Sequence, residues 1–369
     1  MKKQILSTSA IALGVAMAAP ASAQEWDMDW GGFFNTHVGI SDIDGSGLAA
    51  GTDFDGVNVF ANREIHFTPS VTLDNGLTFG VNVQMEGDNS SAPCADIDET
   101  YMYIESDTLG RIVLGNENSA GYLSMVAAPQ VGSMAINSRS TSAFVPLNAG
   151  TFRQASMSSY TEVGGNNDVM RITYFTPSFN GLTLGVSYAP DNTANAANNS
   201  PVDFNAVGNL VDIFDIGVSY SQSFNGVDID LGARWGTAES NIAGVSDPET
   251  WGLGGAFSVS GFTFGVGYAE NDNGAAGGIG DQEGISYGVS YDIPGPWTVG
   301  FEGYNGEVKG AGNDGEYNAY KLAGSRSLGS GVSWDVYYYY ADTENVTAAG
   351  VAGADIEGNV IATAINLSF

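Results

Sequence analysis

The chain predicts an all-β fold: a single antiparallel sheet of sixteen strands, closed on itself as a transmembrane barrel. Three observations carry that expectation. A phrase of apolar-Thr-apolar-Gly-apolar returns four times, beginning at Leu77, Leu182, Phe262 and Trp297. Such alternation is the period of a strand with one oily and one wet face. Short turns alternate with long polar connections along the whole chain, and the oily face continues from strand to strand while the opposite face stays small or polar.

Taken in order, residues 1–23 read as a cleaved secretory signal: Lys2 and Lys3, an apolar stretch from Ile11 to Ala19, then Ala21-Ser22-Ala23. The mature chain, 24–369, forms the barrel. Period-2 segments lie near 31–40, 63–73, 77–86, 99–106, 111–115, 168–176, 182–189, 211–221, 227–236, 250–259, 262–270, 284–293, 297–305, 316–325, 332–341 and 359–369. Each approaches the roughly ten residues that a tilted membrane strand needs. Tight turns such as Asp74-Asn75-Gly76, Asn180-Gly181 and Ser260-Gly261 close one end of the hairpins. Long loops near 41–57, 87–98, 116–167, 190–210, 237–249, 271–283, 306–315 and 342–358 gather at the other. This asymmetry belongs to a barrel with short periplasmic turns and long extracellular loops.

Within strands the faces separate cleanly. Phe262, Phe264, Val266 and Tyr268 oppose Thr263, Gly265, Gly267 and Ala269, and the last strand alternates Ile361, Thr363, Ile365, Leu367 and Phe369 against Val360, Ala362, Ala364, Asn366 and Ser368. No run reaches the roughly 20 apolar residues of a membrane helix. With 42 acidic residues against 11 basic, the net charge of −31 excludes nucleic acid as a partner. Cys94 is the only cysteine, so no disulfide frames the fold.

Several of these segments together resemble the general bacterial porins, of the alphaproteobacterial type. They are the signal, Glu64-Ile65-His66-Phe67 before Leu73-Asp74-Asn75-Gly76-Leu77, Ile172 to Pro177 leading to Gly185-Val186-Ser187-Tyr188, and the terminal Phe369. The resemblance implies a homotrimer in the outer membrane, inserted by the barrel assembly machinery that reads Phe369. It also implies a third outer loop folded inward as a constriction, which places 116–167 inside the barrel. The implied function is passive diffusion of small hydrophilic solutes and ions, with no enzymatic chemistry.

Strand parity then assigns the lumen. Arg111, Arg171, Arg234 and Lys321 point to the wet face, as do Glu64, His66, Glu86, Glu99, Glu105, Asp215, Asp228, Asp230, Asp292, Glu302 and Asp335. The carboxylates outnumber the bases, which predicts a weak cation preference. The long loop carries Arg139 and Arg153 and no carboxylate between Asn118 and Thr161; a narrowest point ringed by those two arginines reverses the preference. Met125–Pro129 and Phe144–Leu147 are the stretches expected to pack the loop on the inner wall. Inward Tyr101, Tyr103, Tyr304, Tyr337 and Tyr339 offer a sugar-stacking track, which would make the pore solute-selective. A structural or adhesive surface protein is the rival from another class. No cofactor is required. Asp42, Asp44, Ser46, Gly47 and Asp53 match the spacing of a calcium loop, and divalent ions there would bridge to phosphates of outer-membrane lipid and lipopolysaccharide. His37 and His66 are the only histidines, and neither has a local Ser-His signature beside it.

Overall fold

In this computed structural model, residues 25–46, 48, 50–87, 97–147, 153–193, 201–348 and 351–369 are described. The expected signal at 1–23, Gly47, Cys94 and the side chain of Arg139 lie outside the described residues.

Among them the chain forms one sheet of seventeen strand segments, each antiparallel to its neighbour. In order they are β1 Trp30–Ser46, β2 Gly56–Phe67, β3 Ser70–Thr72, β4 Thr78–Glu86, β5 Ile97–Ser106, β6 Gly110–Glu117, β7 Val169–Phe175, β8 Leu182–Asp191 and β9 Leu210–Phe224. There follow β10 Val227–Ser240, β11 Glu249–Val259, β12 Phe262–Asp272, β13 Gln282–Asp292, β14 Trp297–Val308, β15 Gly315–Gly329, β16 Val332–Ala348 and β17 Val351–Ser368. Pairing of β1 with β17, from Phe33 opposite Ser368 to Ser46 opposite Asp355, closes the sheet. No edge is left to solvent or lipid, the condition for a sheet to span a bilayer.

Both β2 and β3 pair with β4. They are one wall strand broken at Thr68-Pro69, where proline supplies no N–H to the ladder. The wall is therefore sixteen-stranded, as the periodicity predicts. The turns obey local chemistry. At Asn225-Gly226 and Ser260-Gly261 both residues take positive φ (51° and 79°, 52° and 82°), the geometry of the two-residue hairpin turn that suits the twist of the flanking strands.

The outer connections are shorter than the sequence predicts. β1 runs on to Ser46 and β2 begins at Gly56, so both ends of 41–57 are strand. The expected loop 342–358 is the extended end of the β16–β17 hairpin, with Asp342 opposite Glu357. Alternation persists there, but the outward residues are acidic rather than apolar, and a search for oily faces passes over them. Asp42, Asp44 and Ser46 consequently stand on a strand, and Ser46 Oγ donates to Asp355 Oδ2 at 2.9 Å. Alternate strand residues lie roughly 7 Å apart, so these three are spaced by the strand, while Asp53 lies in the connection to β2.

Candidate functional site

The segment 118–168, between β6 and β7, does not stand outside the barrel. It opens with a single helical turn, α1 Ala120–Leu123, whose cap Ser119 accepts the Tyr122 N–H through Oγ at 3.1 Å. It then runs around the inner wall from β8 to β17 and β1, and the limb 153–166 lies against β14 to β9. The wall makes room with inward glycines. A side chain at Gly232 or Gly254 would collide with the backbone of Ser124 or Val126. Met134, Ile136, Phe144, Val145, Leu147 and Met157 bury against Tyr304, Tyr317, Tyr337, Tyr339, Ile356, Val360 and Ala362. Met125 and Ala127 are buried too, so both stretches expected to pack the loop on the wall do so.

Charged side chains fix the loop in register. Lys321 Nζ pairs with Glu302 at 2.8 Å and donates to the carbonyls of Val131 (3.0 Å) and Met134. Glu302 accepts the Val131 N–H at 2.9 Å, and Asp335 accepts that of Ser133 at 2.9 Å. On the returning limb Arg234 pairs with Asp215 and donates to the Thr161 carbonyl. Arg171 is buried as well, with its guanidinium on the Asn166 carbonyl at 3.3 Å. Parity is right for Arg171, Arg234 and Lys321, since all three point inward. The loop covers them, however, so they hold the loop instead of facing the lumen. Tyr304, Tyr317 and Tyr339 are sealed in the same way, each donating to a loop carbonyl.

The inner wall from β2 to β6 meets the loop at Asn58, Phe60 and Glu99, and most of its other inward polar residues are only partly buried. It presents Glu64 with His66 Nε2 at 2.8 Å, Gln84, Glu86, Glu99, and Asn82 donating to Tyr101 Oη at 2.9 Å. Lower down, Arg111 lies 4.6 Å over the Tyr103 ring and 3.8 Å from Glu105. From the loop, Arg153 stacks at 4.0 Å over Tyr122. The inner face of β2 to β6 thus carries mostly carboxylates, opposite a loop whose described charged side chains are Arg153, Glu162 and Asp168.

A sequence model of Gram-negative porins matches residues 7–346. The chain belongs to the Gram-negative porin family. It is therefore an outer-membrane channel protein and not an enzyme. Among solved structures it is similar to the anion-selective porin from Comamonas acidovorans (TM-score 0.62, 16% identity, covering 94% of this chain and 100% of that one). It is similar also to OmpT of Vibrio cholerae in its trimer form (0.61, 10%, 93% and 99%) and to a mutant of the Rh. blastica porin (0.56, 18%, 93% and 100%). No curated protein matches the chain.

In this porin Asp228 and Asp230 sit on the inward face of β10 beside the Asn225-Gly226 turn, at the periplasmic mouth. Arg139 falls in a short 3₁₀ turn, Arg139–Ala143. His37 is buried, held by Tyr337 Oη at 2.8 Å. Phe369 is exposed at the end of the wall and stacks on Phe34 at 6.2 Å. Sequence reasoning noticed Glu117 and Asp168 only as loop edges, yet their carboxylates and that of Glu99 lie within 4.8 Å of one another. Burial pushes the Asp168 carboxyl up to about 7, with Asp98 adding to the rise. Burial likewise lowers the Arg153 pKa, while Asp168 and Glu162 pull it back up. Nothing local announces this meeting, because β5, β6 and the loop exit are distant in sequence.

Proposed function

We propose that the protein is a homotrimeric general porin of the outer membrane whose water-filled lumen favours cations among small hydrophilic solutes. One observation supports the sign above others. The long loop covers the wall bases Arg171, Arg234 and Lys321, while Glu86, Glu99 and Glu105 stay partly exposed on the inner face of β4 and β5. Arg111 and Arg153 are the described lumen cations that oppose them. Fixed charge beside a low-dielectric wall biases ion entry by sign. The trimer reading draws on the trimeric Vibrio cholerae neighbour. The anion-selective Comamonas acidovorans porin shares the fold at 16% identity, so selectivity of either sign is compatible with this architecture. A sugar-selective pore is less favoured, because of those inward wall tyrosines only Tyr101 and Tyr103 stay partly exposed.

Single-channel recording in a planar bilayer under a salt gradient tests the reading. Conductance in groups of three steps with a cation-side reversal potential is expected. Glu64→Gln with Glu86→Gln should move that potential toward zero, and Arg153→Ala should move it further to the cation side. An anion-side potential in the wild type would overturn the charge argument while leaving the channel intact; absence of steps from folded protein would overturn the channel.

A further inference from the structure

We propose that Tyr122 and Tyr160, with Leu123 beside them, form a subsite in the constriction for organic cations that carry a planar or apolar body. The subsite rests on the cation-favouring lumen proposed above and names the class of solute that such a lumen retains.

Both tyrosines are aimed by their neighbours. Ser159 and Thr161 are fully buried, and their hydroxyls meet those of Ser286 at 3.1 Å and Thr250 at 2.8 Å on the wall. With both flanking side chains turned to the wall, Tyr160 turns away from it and stays partly exposed. On the other limb Ala120, Gly121 and Ser124 are buried, Ala120 and Ser124 lying against Gly217. A helical turn of 3.6 residues then carries Tyr122 and Leu123 to the sides facing away from the wall. Leu123 is 45% exposed inside the barrel, an apolar side chain left open to the lumen. The two tyrosine rings meet with centroids 5.7 Å apart and planes at 54°. Two limbs distant in sequence thereby present one aromatic surface.

That surface already holds a cation. The Arg153 guanidinium carbon lies 4.0 Å from the Tyr122 ring centroid, where the negative face of the ring attracts positive charge. Arg153 takes a φ of 58°, a left-handed conformation uncommon for a residue with a side chain, and its carbonyl accepts the Glu162 N–H at 2.9 Å. Tyr160 and Leu123 stand beside that guanidinium and remain open to a solute. Glu99 and Asp98 on β5 act electrostatically on Arg153, so wall carboxylates reach the same spot. A solute with a positive group on a flat body satisfies both features: its charge is drawn by the carboxylates while its body lies on Tyr160 and Leu123. A neutral ring lacks the first attraction and a small ammonium lacks the second. The wall repels an anion.

Channels in a planar bilayer are titrated with benzamidine, a planar ring bearing an amidinium, and separately with benzamide, benzoate and methylammonium. The concentration that halves the open-channel current is read for each, and the potassium chloride reversal potential is taken from the same bilayers. Benzamidine is expected to block at a concentration about tenfold below that of each of the other three. Tyr160→Leu should raise its half-blocking concentration about fivefold, whereas Tyr160→Phe, which keeps the ring, should hold it within about twofold. Equal block in the wild type by benzamidine and either benzamide or methylammonium, or no change in folded Tyr160→Leu, would overturn the subsite. A cation-side reversal potential beside that failure leaves the charge reading standing. An anion-side potential beside a ring-dependent benzamidine block would overturn the charge reading and leave the aromatic subsite. Should Tyr160→Leu fail to assemble, the wild-type comparison of the four probes decides.

Discussion

At the scale of single residues, Lys321 shows how this barrel uses buried charge. An ammonium has three protons to donate; here one goes to Glu302 and the others to the carbonyls of Val131 and Met134. Glu302 in turn holds the Val131 N–H. A buried ion pair adds little net stability over a hydrophobic pair of the same shape, whereas removing one partner costs about 3–5 kcal/mol. The pair is therefore better read as a directional clamp on 131–134 than as a source of stability. Lys321→Met should lower the midpoint of the heat-induced shift in gel mobility and make the open channel noisier. Lys321→Met with Glu302→Leu should recover most of the midpoint and keep the noise, since it restores charge balance and not the donors. Equal midpoints for wild type and the single variant would show that the clamp carries no weight.

At the scale of elements, the constriction is a long loop lying in a bed of inward glycines. Gly217 faces Ala120 and Ser124, Gly232 faces Ser124 and Val126, Gly254 faces Val126, and Gly265 faces Ala127. Loop backbone lies almost on wall backbone there, and a methyl group must displace it. Gly254→Ala is expected to lift the loop, changing single-channel conductance and exposing 124–131 to protease. Gly324→Ala provides the contrast, because its outward Cβ meets the Trp297 ring at an ordinary 3.4 Å; it should leave conductance as it is. Conductance unchanged in both would mean the loop yields without cost. These glycines also mark where sequence reading stops. Alternation tells which face a residue takes, and it placed Gly265, Arg234 and Lys321 inward correctly. It cannot tell what covers that face. Contacts such as Val145 with Gly358 or Val131 with Lys321 join segments some 200 residues apart, and no local period records them. The apolar stretches in 125–129 and 144–147 were legible as anchors for a simpler reason: oily residues in an otherwise polar loop need a surface to cover them.

At the scale of the whole molecule, the outward wall divides into an apolar band and an acidic rim. The band includes an open apolar concavity of about 970 Å³ bordered by Val38, Phe301, Leu322 and Ile361. Above it, at the end of the long loops, acidic residues stand directly opposite one another across successive strands: Glu270 and Glu283, Glu283 and Glu307, Glu307 and Glu316, Glu316 and Glu344. The ladder resumes with Asp342 opposite Glu357 and Glu357 opposite Asp44. Like charges facing each other across a strand pair destabilise it by an amount of the order of 0.2–1 kcal/mol each. In a chain of net charge −31, few basic groups remain to offset them. The closed sheet bears this repulsion because every wall strand, β1 and β17 included, is hydrogen-bonded on both sides. Repulsion between exposed charges is screened over about 30 Å at 0.01 M salt and about 10 Å at 0.1 M. With a chelator present to exclude divalent ions, sodium chloride over that range should therefore raise the midpoint of heat dissociation. Glu283→Gln with Glu316→Gln should raise the low-salt midpoint and flatten the slope, because it removes a charge from each of the four successive contacts between Glu270 and Glu344. A midpoint that falls with salt, or a slope the double variant does not flatten, would place the control of stability in the loop clamps inside the barrel instead of the charged rim outside it.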